Sequence, residues 1–202
     1  MRKVMTTIVC IALMLCFAMP AFAAVSGDEV KTYGTPFLIT NAGQGPGGKM
    51  ARLLVSQTGT LTLDTDYFYD SEPGAEGHGT LDDMDYSCLV VVIGSTDKGL
   101  GASGITIEDE LARLEKMVAH AKEIELPIVA VLLEKDKRSD IPTNANERCI
   151  DAICPNAEWM VVVADGNTDG RFDKLKEEYG IPLTVIDTTL DFTELAKLAF
   201  VK

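Results

Sequence analysis

Residues 36–50 place the strongest constraint on the fold of this chain. A short apolar segment at residues 36–40 runs into a glycine-rich turn, and the turn runs into a segment that carries Leu53, Leu54 and Val55. A strand, a glycine-rich turn and a helix in this order commonly begin an open α/β sheet, in which ligands bind outside the carboxyl ends of the strands. The stretch therefore predicts a fold class and the edge of the sheet where a site is expected.

Further apolar runs alternate with helical segments along the chain. The predicted strands are, in chain order, residues 37–40, 61–66, 88–93, 127–133, 159–163 and 183–186. The third and fourth are continuous apolar runs, which are typical of central strands buried on both faces of a parallel sheet. Alternation of strands and helices implies right-handed crossovers and parallel pairing.

We therefore expect a three-layer α/β fold, flavodoxin-like or Rossmann-like, with a mostly parallel sheet of about six strands. The expected strand order is 2-1-3-4-5, with the sixth strand at the edge. The longest helix is predicted at residues 107–125, where Thr106 and Asp109 are spaced as a loose capping box.

The start of the chain has the features of a secretory signal peptide. Residues 1–23 combine Arg2 and Lys3, an apolar middle and a small-x-small cleavage site that ends at Ala23. An uncleaved anchor is the alternative, but the apolar run is short for a bilayer span. We predict an exported protein, periplasmic or extracellular, with a polar lead-in at residues 24–35 and a single α/β domain at residues 36–202.

Charge and cysteine content limit the partners. The formal net charge is −13, and removal of the two basic leader residues would make it −15. Such an acidic protein repels phosphate backbones and anionic lipid, so neither nucleic acid nor a membrane surface is expected as a partner. Cys88, Cys149 and Cys154 would remain, which leaves a Cys149–Cys154 bridge as an open alternative.

Five segments together resemble a family of exported bacterial proteins that is catalogued only as a domain of unknown function. The resemblance covers most of the chain after the leader and implies no activity. The cofactor is unknown from the sequence. The segments that carry it are residues 43–50, 98–104, 110–113, 165–170 and 180–183.

Three turns could bind a ligand, and each has a structural alternative. Residues 43–50 nearly match the phosphate-binding P-loop, but Met50 stands where the magnesium-binding hydroxyl should be. Residues 94–104 are equally glycine-rich. Residues 165–170 match the first half of a calcium loop, yet Lys176 occupies the position of its bidentate glutamate. The alternatives are close helix packing, a plain loop, and a helix cap made by Asp169.

Few side chains suggest catalysis. Glu110 and Arg113 lie three residues apart on the long helix, a spacing that suits a surface ion pair. Alternatively, Glu110 reaches back to the glycine loop that precedes the helix, and Arg113 positions its side chain. His78 and His120 are expected to be exposed. No cysteine–histidine cluster has zinc spacing, so neither a metal site nor a catalytic set is assigned.

The predicted strand order reverses between strands one and three, and a crevice forms at such a point. We expect a small polar or anionic ligand there, between residues 41–48 and 94–104, with Gln44 and Lys98 as the main side-chain contacts. The turn at Asp165 is the alternative location. The candidate ligand-binding residues are Asn41, Gly43, Gln44, Lys49, Lys98, Gly99, Gly101 and Asp165.

Two classes of function remain open. The favoured one is a non-enzymatic domain that binds a small ligand or serves as an accessory module. The other is an extracytoplasmic hydrolase that uses carboxylates. A buried acid with a shifted pKa, facing a pocket within hydrogen-bond reach of another polar group, would favour the hydrolase.

Overall fold

The computed structural model describes residues 25–202, which build one sheet of seven strands with helices on both faces. The strands are β1 Val25–Gly27, β2 Phe37–Ala42, β3 Tyr67–Tyr69, β4 Leu89–Ile93, β5 Ile128–Leu132, β6 Trp159–Val163 and β7 Leu183–Ile186. The helices are α1 Gly47–Ser56, α2 Asp97–Ala102, α3 Ile107–Glu123, α4 Ala145–Ile153, α5 Arg171–Tyr179 and α6 Phe192–Ala199.

The strand order across the sheet is β1-β7-β6-β5-β4-β2-β3. Every pair is parallel except β1 with β7, so the prediction of a mostly parallel α/β sheet is confirmed. The six predicted strands follow one another in the expected order. The sixth strand is not the edge, however, because β1 pairs antiparallel with β7 and extends the sheet to seven strands. The three residues of β1 are too few to show a periodicity inside the polar lead-in.

The second strand begins later in the chain than predicted, at Tyr67. Residues 61–66 alternate apolar and polar side chains, but they form a turn rather than a strand. The Asp66 carboxylate accepts a hydrogen bond from Thr62 N at 2.7 Å, and Asp66 N donates to Thr62 O at 2.8 Å. Pairing with β2 begins only at Tyr67. The alternation of apolar and polar residues therefore belongs to a turn that the Asp66 carboxylate closes.

Two apolar layers enclose the sheet. The adjacent strands β4 and β5 are buried along their whole length, as predicted for the two central runs. Leu114 of α3 and Ile150 of α4 pack on one face, and Leu54 of α1 and Leu195 of α6 pack on the other. The crossover from β3 to β4 contains no helix, and residues 70–88 form an irregular loop instead.

Local signals in the sequence set the start of α3. Thr106 Oγ1 accepts from Asp109 N at 3.2 Å and Thr106 N donates to the Asp109 carboxylate at 2.9 Å, so the predicted capping box is present. Cys88, Cys149 and Cys154 are buried free thiols. Burial raises the pKa of Cys149 to about 12.

The signal-peptide prediction concerns residues 1–23, which lie outside the described residues. Export therefore remains a prediction, and the N-terminal residue of the mature protein would check it. Of the helices within residues 25–202, none combines the length and the apolar character that crossing a bilayer requires.

Candidate functional site

The reversal of strand order lies at β2 and β4, as expected. The chain adds β3 on one side of β2 and then returns to add β4 on the other side. The turns that follow β2 and β4 therefore meet at the carboxyl edge of the sheet, where ligands bind in open α/β folds. We call this place the switch point.

The two glycine-rich turns pack directly against each other at the switch point. Gly45 N donates to Gly94 O at 2.8 Å. A Cβ atom at Gly45 would lie 2.4 Å from Gly94 O, and one at Gly43 would lie 2.4 Å from Ser95 Cβ. Gly43 also has a φ of +95°, a conformation that favours glycine. These glycines serve contact between the turns, which is the structural alternative for the P-loop-like segment.

Acceptors from the protein itself occupy the backbone N–H groups that a phosphate would need. Glu110 Oε1 accepts from Gly43 N at 2.6 Å, and Asn41 Oδ1 accepts from Gly48 N at 2.8 Å. Asn41 Nδ2 in turn donates to the hydroxyl of Tyr69 at 3.2 Å. An anionic ligand would have to displace these groups, so the geometry does not favour an anion here.

Glu110 and Arg113 form a buried pair rather than a surface pair. The Glu110 side chain is fully buried, and Arg113 donates to both of its carboxylate oxygens, at 2.9 Å from Nε and 2.6 Å from Nη2. Arg113 Nη2 also donates to Asn41 O at 2.9 Å. Glu110 does reach a glycine-rich turn, but it is the turn after β2 rather than the one that precedes α3.

The structure brings only some of the predicted ligand-binding residues together. Asn41, Gly43 and Gln44 share the turn after β2, and a Cβ atom at Gly99 would lie 3.6 Å from Gln44 O. Gln44 Nε2 is engaged with Glu72 Oε1 at 3.0 Å. In contrast, three members of the set are exposed: Lys49, Lys98 and Gly101. A Cβ atom added at Gly101 would meet open space.

A cavity of about 370 Å³ lies beside the switch point, at the carboxyl ends of β5, β6 and β7. We call it the carboxyl-edge pocket. Asp165 is its only member among the predicted residues. The lining residues are Met50, Leu133, Glu134, Lys135, Asp136, Val163, Asp165, Asp187, Thr188 and Thr189. The sequence does carry one signal for this pocket: an acid follows each of the strands β5, β6 and β7 within two residues, namely Glu134, Asp165 and Asp187.

Glu134 links the pocket to the switch point. Its side chain is only 15% exposed, and Oε2 is buried without a hydrogen-bond partner among residues 25–202. A Cβ atom at Gly94 would lie 2.9 Å from Oε2, and one at Gly45 would lie 3.4 Å from it. Burial raises the pKa of Glu134 above its usual value. Sequence reasoning missed this residue because its environment is made by two distant turns.

Four other polar side chains of the pocket, those of Lys135, Asp165, Thr188 and Thr189, already have partners. Lys135 Nζ binds Asp165 Oδ2 at 2.7 Å, and Thr189 Oγ1 donates to Leu133 O at 2.7 Å. Thr188 Oγ1 donates to Asp191 at 2.7 Å. Since the lining otherwise contributes Asp136, Asp187 and Glu134, the pocket carries more acids than bases. Its electrostatics favour a positively charged or donor-rich guest.

The calcium-like turn at residues 165–170 has other uses for its polar side chains. Asp169 Oδ2 accepts from Arg138 Nη2 at 2.7 Å, and Asn167 Oδ1 accepts from Phe172 N at 2.9 Å. Asp169 Oδ1 also accepts from Arg171 N at 3.2 Å, at the start of α5. In the part of the chain that the structure describes, no group of three or more histidine, cysteine or acidic residues is arranged to hold a metal ion.

The substitution Glu134→Gln is expected to stabilise the protein at pH 7 and to leave stability unchanged at pH 4. In the folded state the pKa of Glu134 is raised, so its carboxyl keeps its proton at pH values above the ordinary pKa of 4.5, whereas in the unfolded state it loses the proton near that pH. Stability is therefore lost as the pH rises above that value. We expect a gain on the order of 1 kcal/mol at neutral pH, measured by urea unfolding.

The control for this prediction is Glu177→Gln, which removes an exposed acid of α5. It should show no pH-dependent gain. An equal gain in both variants would mean that relief of the overall negative charge, rather than burial of Glu134, is responsible.

Comparison with known proteins identifies a family. A family model described as a domain of unknown function (DUF6305) matches residues 34–200. Neither the curated proteins nor the solved structures give a match to the chain.

Proposed function

Because the chain belongs to the DUF6305 family, whose description assigns no activity, we propose a function from its own geometry. We propose an exported, non-enzymatic domain that binds a small polar ligand in the carboxyl-edge pocket. The observation that carries this proposal is Glu134, a largely buried acid that borders the pocket with Oε2 unpartnered among residues 25–202. A buried polar group without a partner costs about 1–3 kcal/mol, and a ligand that donates hydrogen bonds to this carboxyl would reduce that cost.

The strand order supports the location. Flavodoxin-like sheets have the order 2-1-3-4-5 and bind ligands outside the carboxyl ends of their strands. The six parallel strands follow that order, and both the switch point and the pocket lie at that edge. We infer a flavodoxin-like arrangement in which the ligand is displaced from the switch point toward β5 and β7, because the glycine-rich turns fill the space between β2 and β4.

The charge around the pocket defines the class of ligand. Glu134, Asp136, Asp165 and Asp187 line it, and its one lysine, Lys135, is paired with Asp165. The whole chain is acidic as well, with a formal net charge of −13. The negative charge of the pocket lining and that of the whole chain both favour a small cation, such as an organic amine, over an anion.

A hydrolase is the second candidate, and Glu134 is also the observation that favours it. A carboxylic acid whose pKa is raised by burial can serve as a general acid near neutral pH. However, Lys137 Nζ lies 3.9 Å from Glu134 Oε1, beyond hydrogen-bond distance. The hydroxyls of Thr188 and Thr189 are bonded elsewhere. Since no polar group of the described residues is placed within hydrogen-bond distance of the Glu134 carboxyl, binding is the better-supported function.

The test is a titration of the isotope-labelled protein followed by amide chemical shifts. Ethanolamine and putrescine serve as cationic probes, and glycolate and inorganic phosphate as anionic ones. The cations should shift the amides of residues 134–136 and 187–189. Glu134→Gln should weaken that binding about tenfold, equivalent to about 1.4 kcal/mol, and Glu177→Gln should leave it unchanged.

Two outcomes would overturn the proposal. The first is stronger shifts of the pocket amides by the anions than by the cations, and the second is no shift with any probe. Turnover of chromogenic ester or glycoside substrates that is lost in Glu134→Gln and kept in Glu177→Gln would establish the hydrolase instead.

A further inference from the structure

A second cavity, of about 590 Å³, lies between α3 and the irregular loop at residues 70–88. We call it the α3 groove. It arises because the crossover from β3 to β4 contains no helix, so this loop covers the sheet beside α3. The groove shares no lining residue with the carboxyl-edge pocket.

The two sides of the α3 groove differ in chemistry. Leu81 of the loop and Met117 of α3 are buried apolar residues of one core layer and provide an apolar surface. Arg113, Lys116 and His120 also line the groove from α3. Their spacing of three and four residues places them on one side of the helix. The groove therefore combines an apolar surface with a row of nitrogen bases.

The acids that border the groove are already engaged. The Asp109 carboxylate belongs to the capping box with Thr106. Asp82 Oδ2 lies 2.6 Å from His120 Nε2, which joins the loop to α3. Because both carboxylates already have partners, neither Asp82 nor Asp109 is free to bind a cationic ligand in the groove.

The bases at the other end of the groove are not fully engaged. Arg113 binds Glu110 and Asn41 O through Nε and Nη2, but Nη1 is buried and has no partner within residues 25–202. Lys116 is exposed, and no carboxylate of the described chain lies within 4.0 Å of its Nζ. An acceptor bound between these two side chains would supply the contacts that both lack.

We propose that the α3 groove binds a small organic anion, with its carboxylate at Arg113 and Lys116 and its apolar part against Leu81 and Met117. A guanidinium and an ammonium group together match a carboxylate, and the buried surface adds affinity. The net charge of the protein opposes the approach of anions, so the affinity rests on these short-range contacts. This site is independent of the proposed cation pocket.

The test uses hexanoate as the probe, with hexylammonium and hexanamide as controls of equal chain length and different charge. Amide shifts of the isotope-labelled protein should report hexanoate binding at residues 112–120 and 74–82. Lys116→Glu reverses an exposed charge in the groove and should weaken hexanoate at least tenfold. Lys122→Glu makes the same change on the same helix, where Lys122 binds Asn156 outside the groove, and should leave the affinity unchanged.

Three results would overturn the proposal: no shift at these residues with 50 mM hexanoate, equal or tighter binding of hexylammonium, or an equal loss in Lys116→Glu and Lys122→Glu. The amides of residues 134–136 and 187–189 report the carboxyl-edge pocket in the same spectra. The two sites can therefore fail or succeed separately.

Discussion

Alanine at Gly43 is expected to destabilise the protein by roughly 3–5 kcal/mol, because it adds steric overlap to backbone strain. The new Cβ would lie 2.4 Å from Ser95 Cβ and 2.7 Å from Gly94 O. Residue 43 would also have to keep a φ of +95°, which L-residues rarely adopt. Neither obstacle is the flexible end of a side chain, so the two turns would have to separate. Urea unfolding of Gly43→Ala measures the cost.

Two other glycines separate the contributions. Gly180 ends α5 with a φ of +68° and open space around it, so Gly180→Ala should cost only the conformational strain, about 1–2 kcal/mol. Gly101 lies within α2, also with open space, so Gly101→Ala should be neutral or stabilising by up to about 1 kcal/mol. If Gly43→Ala cost no more than Gly180→Ala, the turns after β2 and β4 would not be in contact.

Removal of the Arg113 guanidinium is the second change with a large expected effect. Arg113→Met should cost about 3–5 kcal/mol, because it leaves the Glu110 carboxylate buried without its ion-pair partner. Glu110 is fully buried, and of its hydrogen bonds within residues 25–202 the one from Gly43 N, at 2.6 Å, would be left. The bond from Arg113 to Asn41 O would be lost as well. Chemical unfolding of the variant gives the magnitude.

A matched surface pair and a double variant test the cause. Arg148 pairs with Glu108 at 2.7 Å, but both side chains are substantially exposed, so Arg148→Met should cost at most about 1 kcal/mol. Adding Glu110→Gln to Arg113→Met removes the uncompensated charge and should restore part of the stability. A double variant less stable than Arg113→Met would show that the buried charge is not the source of the loss.

Both large effects arise at one junction. Gly43 contacts the turn after β4 through its backbone and donates to Glu110 of α3, and Arg113 holds Glu110 in place. The junction therefore joins β2, β4 and α3 at the point where the strand order reverses. Its polar groups serve the fold, which explains why the ligand site we propose lies to one side of it.

Local pattern was sufficient for much of the architecture. The continuous apolar runs of β4, β5 and β6, the capping residues of α3 and the glycine after α5 each report the conformation of a short segment. Alternation of such segments then determines a parallel sheet, since the handedness of crossovers leaves few other topologies. The same reasoning located the switch point. It failed at β1 and β3, where strands of three residues carry no periodicity.

For the candidate site, the sequence predicts no more than a general location, the carboxyl edge of the sheet. The motif at residues 43–50 predicted that the absence of side chains lets a ligand approach the backbone. In the structure, Gly94 and Ser95 pack against this backbone instead. The two lysines of the predicted set, Lys49 and Lys98, are exposed, and neither lines the carboxyl-edge pocket. Glu134 became a candidate only because two distant turns bury its carboxyl.

The sequence by itself therefore determined which segments form most strands and helices, and the order of the parallel strands. These follow from periodicity, capping and chain connectivity, which act over a few residues or through topology. Only the tertiary structure decided which groups satisfy the glycine-rich turns and which acid remains without a partner. The bond from Gly43 to Glu110 spans 67 residues of chain, and burial depends on packing over such distances, so no local pattern encodes it.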